Sequence, residues 1–72
     1  MDGSTVIRVI TTTSSKEEAE GIAQELVRRR LAACVQVSGP VSSIYPWKGT
    51  IEKDQEWILS IKTLWSMFHE LR

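Results

Sequence analysis

Two strand-like runs that meet at Lys48-Gly49 constrain this chain more than any other feature. The first begins at Leu31-Ala-Ala-Cys34-Val-Gln-Val37 and resumes as Ser43-Ile-Tyr45-Pro-Trp47; the second contains Glu56-Trp-Ile-Leu-Ser-Ile-Lys62-Thr63. Alternation of period two over such lengths belongs to strands rather than helices. Gly49 supplies the positive φ that a tight two-residue turn demands. On the return run Trp57, Leu59 and Ile61 share one face, while Glu56, Ile58, Ser60 and Lys62 share the other. Val35 and Val37 likewise oppose Cys34, Gln36 and Ser38. Gly39-Pro40 interrupts the first run, which predicts a bulge or sharp bend. A two-stranded ribbon of this length and apolarity needs a second layer or a partner.

The preceding sequence supplies one such layer. Thr5 to Thr11 is β-branched and reads as a strand, with Thr12 to Ser15 as a connection. Ser14 with Glu17, or Ser15 with Glu18, has capping-box spacing. A helix is expected from about Ser15 to about Arg30, with Ala19, Ile22, Ala23, Leu26 and Val27 as its apolar stripe. Glu17 and Glu18 in its first turn and Arg28, Arg29 and Arg30 in its last suit the macrodipole, so the arginine run reads as a solvated helix end. After the ribbon, Thr63 or Ser66 is placed to cap a short second helix carrying Leu64, Phe68 and Leu71. The predicted order is β-α-β-β-α. A ferredoxin-like split βαβ fold of class α+β needs one more strand beside the first, and without it that strand keeps an open edge.

Size makes the question of partners pressing. A single domain of 72 residues buries only about 60% of the surface its unfolded chain exposes, so its stability is marginal without help. One cysteine, Cys34, rules out an internal disulfide. Nine basic and nine acidic residues cancel, leaving no electrostatic footprint for nucleic acid. No apolar run approaches a membrane span, and a cytoplasmic location is the expectation. Self-association is then the remaining source of stability.

Candidate chemistry is sparse. Cys34 sits mid-strand with no ligand or activating residue at useful spacing, and reads as a buried, structural cysteine. His69, beside Glu70, reads as a surface histidine. Glu52, Asp54 and Glu56 alternate on one strand face, as solvated charges do. No phosphate loop or catalytic triad occurs, so the chain is read as no enzyme; catalysis through Cys34 is the weakest of the readings. Tyr45, Trp47 and Trp57 stand apart. Three large aromatics on the ribbon of so small a protein suit an interface between chains.

Taken together, Arg30-Leu-Ala-Ala-Cys34-Val, Ser43-Ile-Tyr45-x-Trp47-x-Gly49-x-Ile51-Glu52 and Ile61-Lys62-Thr63 resemble the CutA family of divalent-cation tolerance proteins, from about Val6 onward. The resemblance implies one ferredoxin-like domain over residues 1–72 that assembles as a homotrimer, sheets inward and helices outward, with each hairpin reaching a neighbour. It would turn Cys34, Gln36 and Ser38 to the trimer interior and lay the helix over Val35 and Val37. It also implies a role in tolerance of copper or other divalent metals, without an enzymatic reaction. Family members usually continue into a His-Pro-Tyr-x-x-Pro-Glu segment and a further strand; this sequence does not include them, and a partial form of a longer chain is the expectation. The copper site associated with bacterial members uses that His and Glu with a Cys at the end of the first strand, where this chain has Thr11. That site is therefore not carried over to Cys34, and the metal ligands stay unassigned. Two alternatives remain. One is a PII-like sensor holding an anionic metabolite between subunits through Arg8 and Lys62; the other is a structural or anchoring trimer.

Overall fold

The computed structural model describes residues 3–67. Strand β1 (Val6–Thr13) leads into helix α1 (Lys16–Arg28), then strand β2 (Cys34–Trp47) and strand β3 (Thr50–Leu64). The sheet order is β1-β3-β2 with both pairings antiparallel. β1 and β2 thus run the same way with β3 inserted between them, which is the split βαβ arrangement. Among the described residues the outer edge of β1 carries no strand.

Local chemistry sets the boundaries of α1. The Ser15 side chain accepts from the Glu18 N–H at 3.1 Å, so the cap follows the Ser15–Glu18 spacing. Its end falls two residues before the expected Arg30. Arg30 adopts φ 59, its N–H donates to the Val27 carbonyl, and the Leu31 N–H donates to the Leu26 carbonyl at 2.9 Å. Those two bonds are a Schellman closure, with an arginine where glycine is commonest. The closure turns the chain back so that the Ala33 N–H meets the Lys62 carbonyl and β2 begins.

β1 and β3 each run longer than the sequence suggests at their C-terminal ends. Thr12 and Thr13 belong to β1 rather than to the connection, because they pair with Ile58 and Trp57. Thr63 and Leu64 belong to β3 rather than to a helix start, because they pair with Ile7 and Val6. Thr63 is buried and its hydroxyl donates to the Leu31 carbonyl at 2.6 Å, so it ties the sheet to the α1–β2 connection. Residues 65–67 form a helical turn. Phe68, His69 and Leu71 lie outside the described residues.

The core sits between α1 and one face of the sheet. Ala19 and Leu59 are fully buried and Ala32 and Ile61 nearly so, with Val9, Ala23, Leu26, Val35, Val37 and Trp57 packed around them. Small residues on the helix let it approach the sheet closely, and Leu59 fills the centre. The register shift between Ser38 and Val41 is the bulge expected at Gly39-Pro40. Gly39 has φ +145, and a Cβ there would come within 3.0 Å of the Trp57 ring, so the indole occupies the space that a side chain would need.

Candidate functional site

Among the described residues, no element covers two surfaces: the sheet face opposite α1 and the far half of the hairpin. β3 pairs with β1 only from Trp57 to Leu64, so Thr50 to Glu56 has β2 alone beside it. This free ribbon is about 23 Å long at ordinary strand rise. It explains the elongated shape, with extents of 44 × 26 × 16 Å. The radius of gyration is 14.4 Å, against about 11 Å for a compact domain of this length. The turn at its tip has positive φ at both Lys48 (50°) and Gly49 (81°), the pattern that matches strand twist in two-residue hairpins.

The ribbon exposes large apolar side chains on both sides, among charged ones. Ile44 and Ile51 are 67% and 74% exposed on the side continuous with α1. Trp47 is 57% exposed on the other side, with the Lys48 ammonium 5.6 Å from its ring centre. Tyr45 shares that second side, half-buried, and its hydroxyl donates to Asp54. Asp54, with Glu52 and Glu56 adding negative potential, holds the Tyr45 phenol above its usual titration range. Thr50 donates to Glu52 at 3.2 Å. Glu56 is half-buried where the ribbon meets the sheet and accepts from the Ser43 and Thr12 hydroxyls, which hold its carboxyl below the ordinary carboxylate range. One carboxylate thereby joins all three strands.

The three aromatics read as one set in the sequence lie in two places. Tyr45 and Trp47 belong to the ribbon. Trp57 sits on the α1 side against the core, near the bulge, with the Lys16 ammonium 5.8 Å from its ring centre.

On the sheet face away from α1, Val6 and Ile10 are 68% and 58% exposed, and Cys34, Gln36 and Ser38 are exposed alongside them. Arg8 and Lys62 are directly paired across β1 and β3, with Cys34 opposite Lys62 on the other edge. The structure thus brings together the two cations singled out from the sequence. It does not bring Glu52 or Glu56 to them, for Glu56 is six positions from Lys62 along β3, or about 20 Å. Lys62 also lines a largely apolar pocket of about 380 Å³ with Val6, Val27, Arg30, Leu31 and Leu64.

The arginine run is divided by the helix end: Arg28 and Arg29 both bind Glu25, Arg29 at 2.5 Å. Among the described residues no three His, Cys, Asp or Glu side chains gather as a metal cluster. Cys34 is not the buried cysteine the sequence suggests: it lies exposed beside the Lys62 cation, because it points to the sheet face away from α1, and it is a poor start for a metal site. No described helix is long and apolar enough to cross a membrane.

Comparison with known proteins decides the family. A family model described as "CutA1 divalent ion tolerance protein" matches residues 7–72. The chain belongs to the CutA1 family. It is 44% identical over 64 residues to the divalent-cation tolerance protein CutA of Thermus thermophilus, covering 89% of this chain and 62% of that one. Against the protein CutA of Homo sapiens it is 43% identical over 58 residues, covering 81% and 32%. The solved structure of the Thermus thermophilus protein superposes with a TM-score of 0.83 at 42% identity, covering 93% of this chain and 65% of that one. CutA1 of Oryza sativa superposes with a TM-score of 0.84 at 35% identity, covering 92% and 61%. The α+β, ferredoxin-like class is therefore the class of solved CutA1 proteins, and this chain spans less than two thirds of the length of those relatives. Relatives carry different compartments in their names: the Arabidopsis thaliana protein is called chloroplastic and the Archaeoglobus fulgidus protein periplasmic.

Proposed function

We propose that this chain acts as a homotrimeric, non-enzymatic CutA-type protein in the response to divalent metal ions, copper first among them. One observation carries the reading. The chain exposes apolar side chains on a free two-stranded ribbon (Ile44, Trp47, Ile51) and on the uncovered sheet face (Val6, Ile10). A domain this small has no second layer of its own among the described residues to cover both, and further copies of the chain supply one. Trp47 and Tyr45 are the anchors of that contact in this reading, and Trp57 contributes by fixing the base of the ribbon.

Copper enters as the ion to which the protein responds. The described residues offer it no chelate, so no step is assigned to a bound metal. A single exposed thiol fits a reducing compartment, which favours the cytoplasm for this chain. Two measurements test the reading. Native mass spectrometry at micromolar concentration should give a trimer mass, and a stable monomer sinks the assembly. Copper sensitivity of cells lacking the protein should be reversed by the wild-type chain; no difference in growth across a copper series removes the metal-response part.

A further inference from the structure

The uncovered sheet face has a charge pattern as well as an apolar one. Arg8 and Lys62 stand directly opposite each other on neighbouring strands, where like charges repel. Both are exposed, and among the described residues neither has a carboxylate within ion-pair distance. Such a pair is stabilised by an anion held between the two cations. The same face carries the opposite charge at its other end. Alternation along β3 runs unbroken from Glu52 to Lys62, because the bulge is confined to β2. Glu52 and Asp54 therefore lie on the Lys62 side of the sheet, on the free ribbon. The Tyr45 hydroxyl donates to the Asp54 carboxylate, and the Thr50 hydroxyl, 2.9 Å from the Trp47 carbonyl, also lies 3.2 Å from the Glu52 carboxylate. The two charged ends are eight to ten positions apart on β3, about 26–33 Å, too far to meet within one chain.

We infer that the Arg8–Lys62 pair of one copy receives the Glu52 and Asp54 carboxylates from the ribbon of another. The occupant is a second copy, because this face offers the complementary charges at a separation that only another chain can bridge. The inference rests on the self-association proposed above and gives it a register: the apolar patch around Val6 and Ile10 packs while the ion pairs set which ribbon lies on which face. Charges of this kind steer and orient association more than they add affinity. In a ring of three, each copy gives its carboxylates to one neighbour and takes those of the other.

Charge reversal on the full chain tests this. R8E/K62E and E52K/D54K should each raise the concentration for half-assembly by roughly 10–100-fold, with an unchanged circular dichroism spectrum, because like charges then face each other. The four-substitution chain should assemble to within a few-fold of wild type. An equimolar mixture of the two double variants adds a second reading. Alternating copies cannot close a ring of odd number, so the mixture recovers only partly in a trimer; full recovery at dimer mass keeps the ion pairs and removes the trimer. A wild-type chain that is monomeric sinks the self-association itself. Wild-type assembly that neither double variant weakens, or weakening that the combined chain does not repair, overturns the ion-pair inference alone. So does a melting shift with ATP or citrate that R8E/K62E abolishes while assembly is untouched, since the cations would then serve a small anion.

Discussion

Leu59→Ala is the sharpest test of where the stability of the protomer lies. Leu59 is fully buried at the middle of β3, the central strand, opposite Val37 on one side and Thr11 on the other. It is the one large side chain among the described residues with essentially no exposure. Removing three carbons loses about 2.4 kcal/mol of transfer free energy at roughly 0.8 kcal/mol per carbon. The cavity adds to this, because Ala19 and Ala32 are too small to collapse into it. The expected total is about 3–4 kcal/mol, inside the range measured for buried Leu→Ala changes. A 72-residue domain has on the order of 4–11 kcal/mol to lose. The melting temperature should therefore fall by roughly 12–32 °C, at about 4–8 °C per kcal/mol for a domain of this size.

Urea denaturation followed by far-UV circular dichroism would measure the change, at several protein concentrations so that folding is separated from association. Ile61→Val serves as the scale: it removes one carbon from a nearly buried site and should cost about 0.5–1.5 kcal/mol. A Leu59→Ala loss below about 1 kcal/mol, or one no larger than that of Ile61→Val, would refute the placement of the core between α1 and the odd-numbered face of β3.

Three further outcomes are expected. Ser15→Ala removes the acceptor of the Glu18 N–H and should lower unfolding free energy by about 1 kcal/mol, with Ser15→Asp near wild type, both read from urea midpoints. Arg30→Gly should raise stability by roughly 0.5–1 kcal/mol, because the left-handed φ of 59° strains a side-chain-bearing residue more than it does glycine. Glu25, held down by Arg28 and then Arg29, and Glu56, held down by Ser43 and then Thr12, both titrate below the ordinary glutamate range when folded. Their contribution is present above the unfolded pKa and disappears as pH falls through the lowered folded pKa, so a pH series of thermal melts should drop on the acid side and E25Q/E56Q should flatten the drop.

How much of this was legible in the sequence depends on how local the cause is. The Ser15 cap, the Lys48-Gly49 turn and the bulge at Gly39-Pro40 are written in residues a few positions apart, and each lies where the pattern indicates. The tight turn also fixes the register by counting, so the pairing of Tyr45 with Glu52 and Ser43 with Asp54 could have been read in advance. The Arg8–Lys62 pairing could not, because the offset of β1 against β3 is set by packing across α1 and by no short motif. The same distance explains the misplaced ends. Thr63 looks like a helix cap until Ile7 is seen beside it in the sheet, and Thr12 looks like a loop until Ile58 is. Trp57 looked like a member of the ribbon aromatics because sequence adjacency to the hairpin does not reveal which side of the sheet the α1 helix occupies.

The position of Trp57 bears on what the ribbon is for. An aromatic at the base of a hairpin, wedged against a glycine whose missing side chain leaves it room, fixes the angle at which the ribbon leaves the sheet. Glu56 does the same from the opposite face by joining Thr12 and Ser43 across the central strand. The ribbon is thus braced on both sides at its root and bare along its length. A flexible arm would lose conformational entropy on docking, at about 0.5–1.5 kcal/mol per immobilised side chain, and a braced one loses less. A braced root with exposed isoleucines and a tryptophan beyond it keeps that entropic cost low for whatever covers the ribbon.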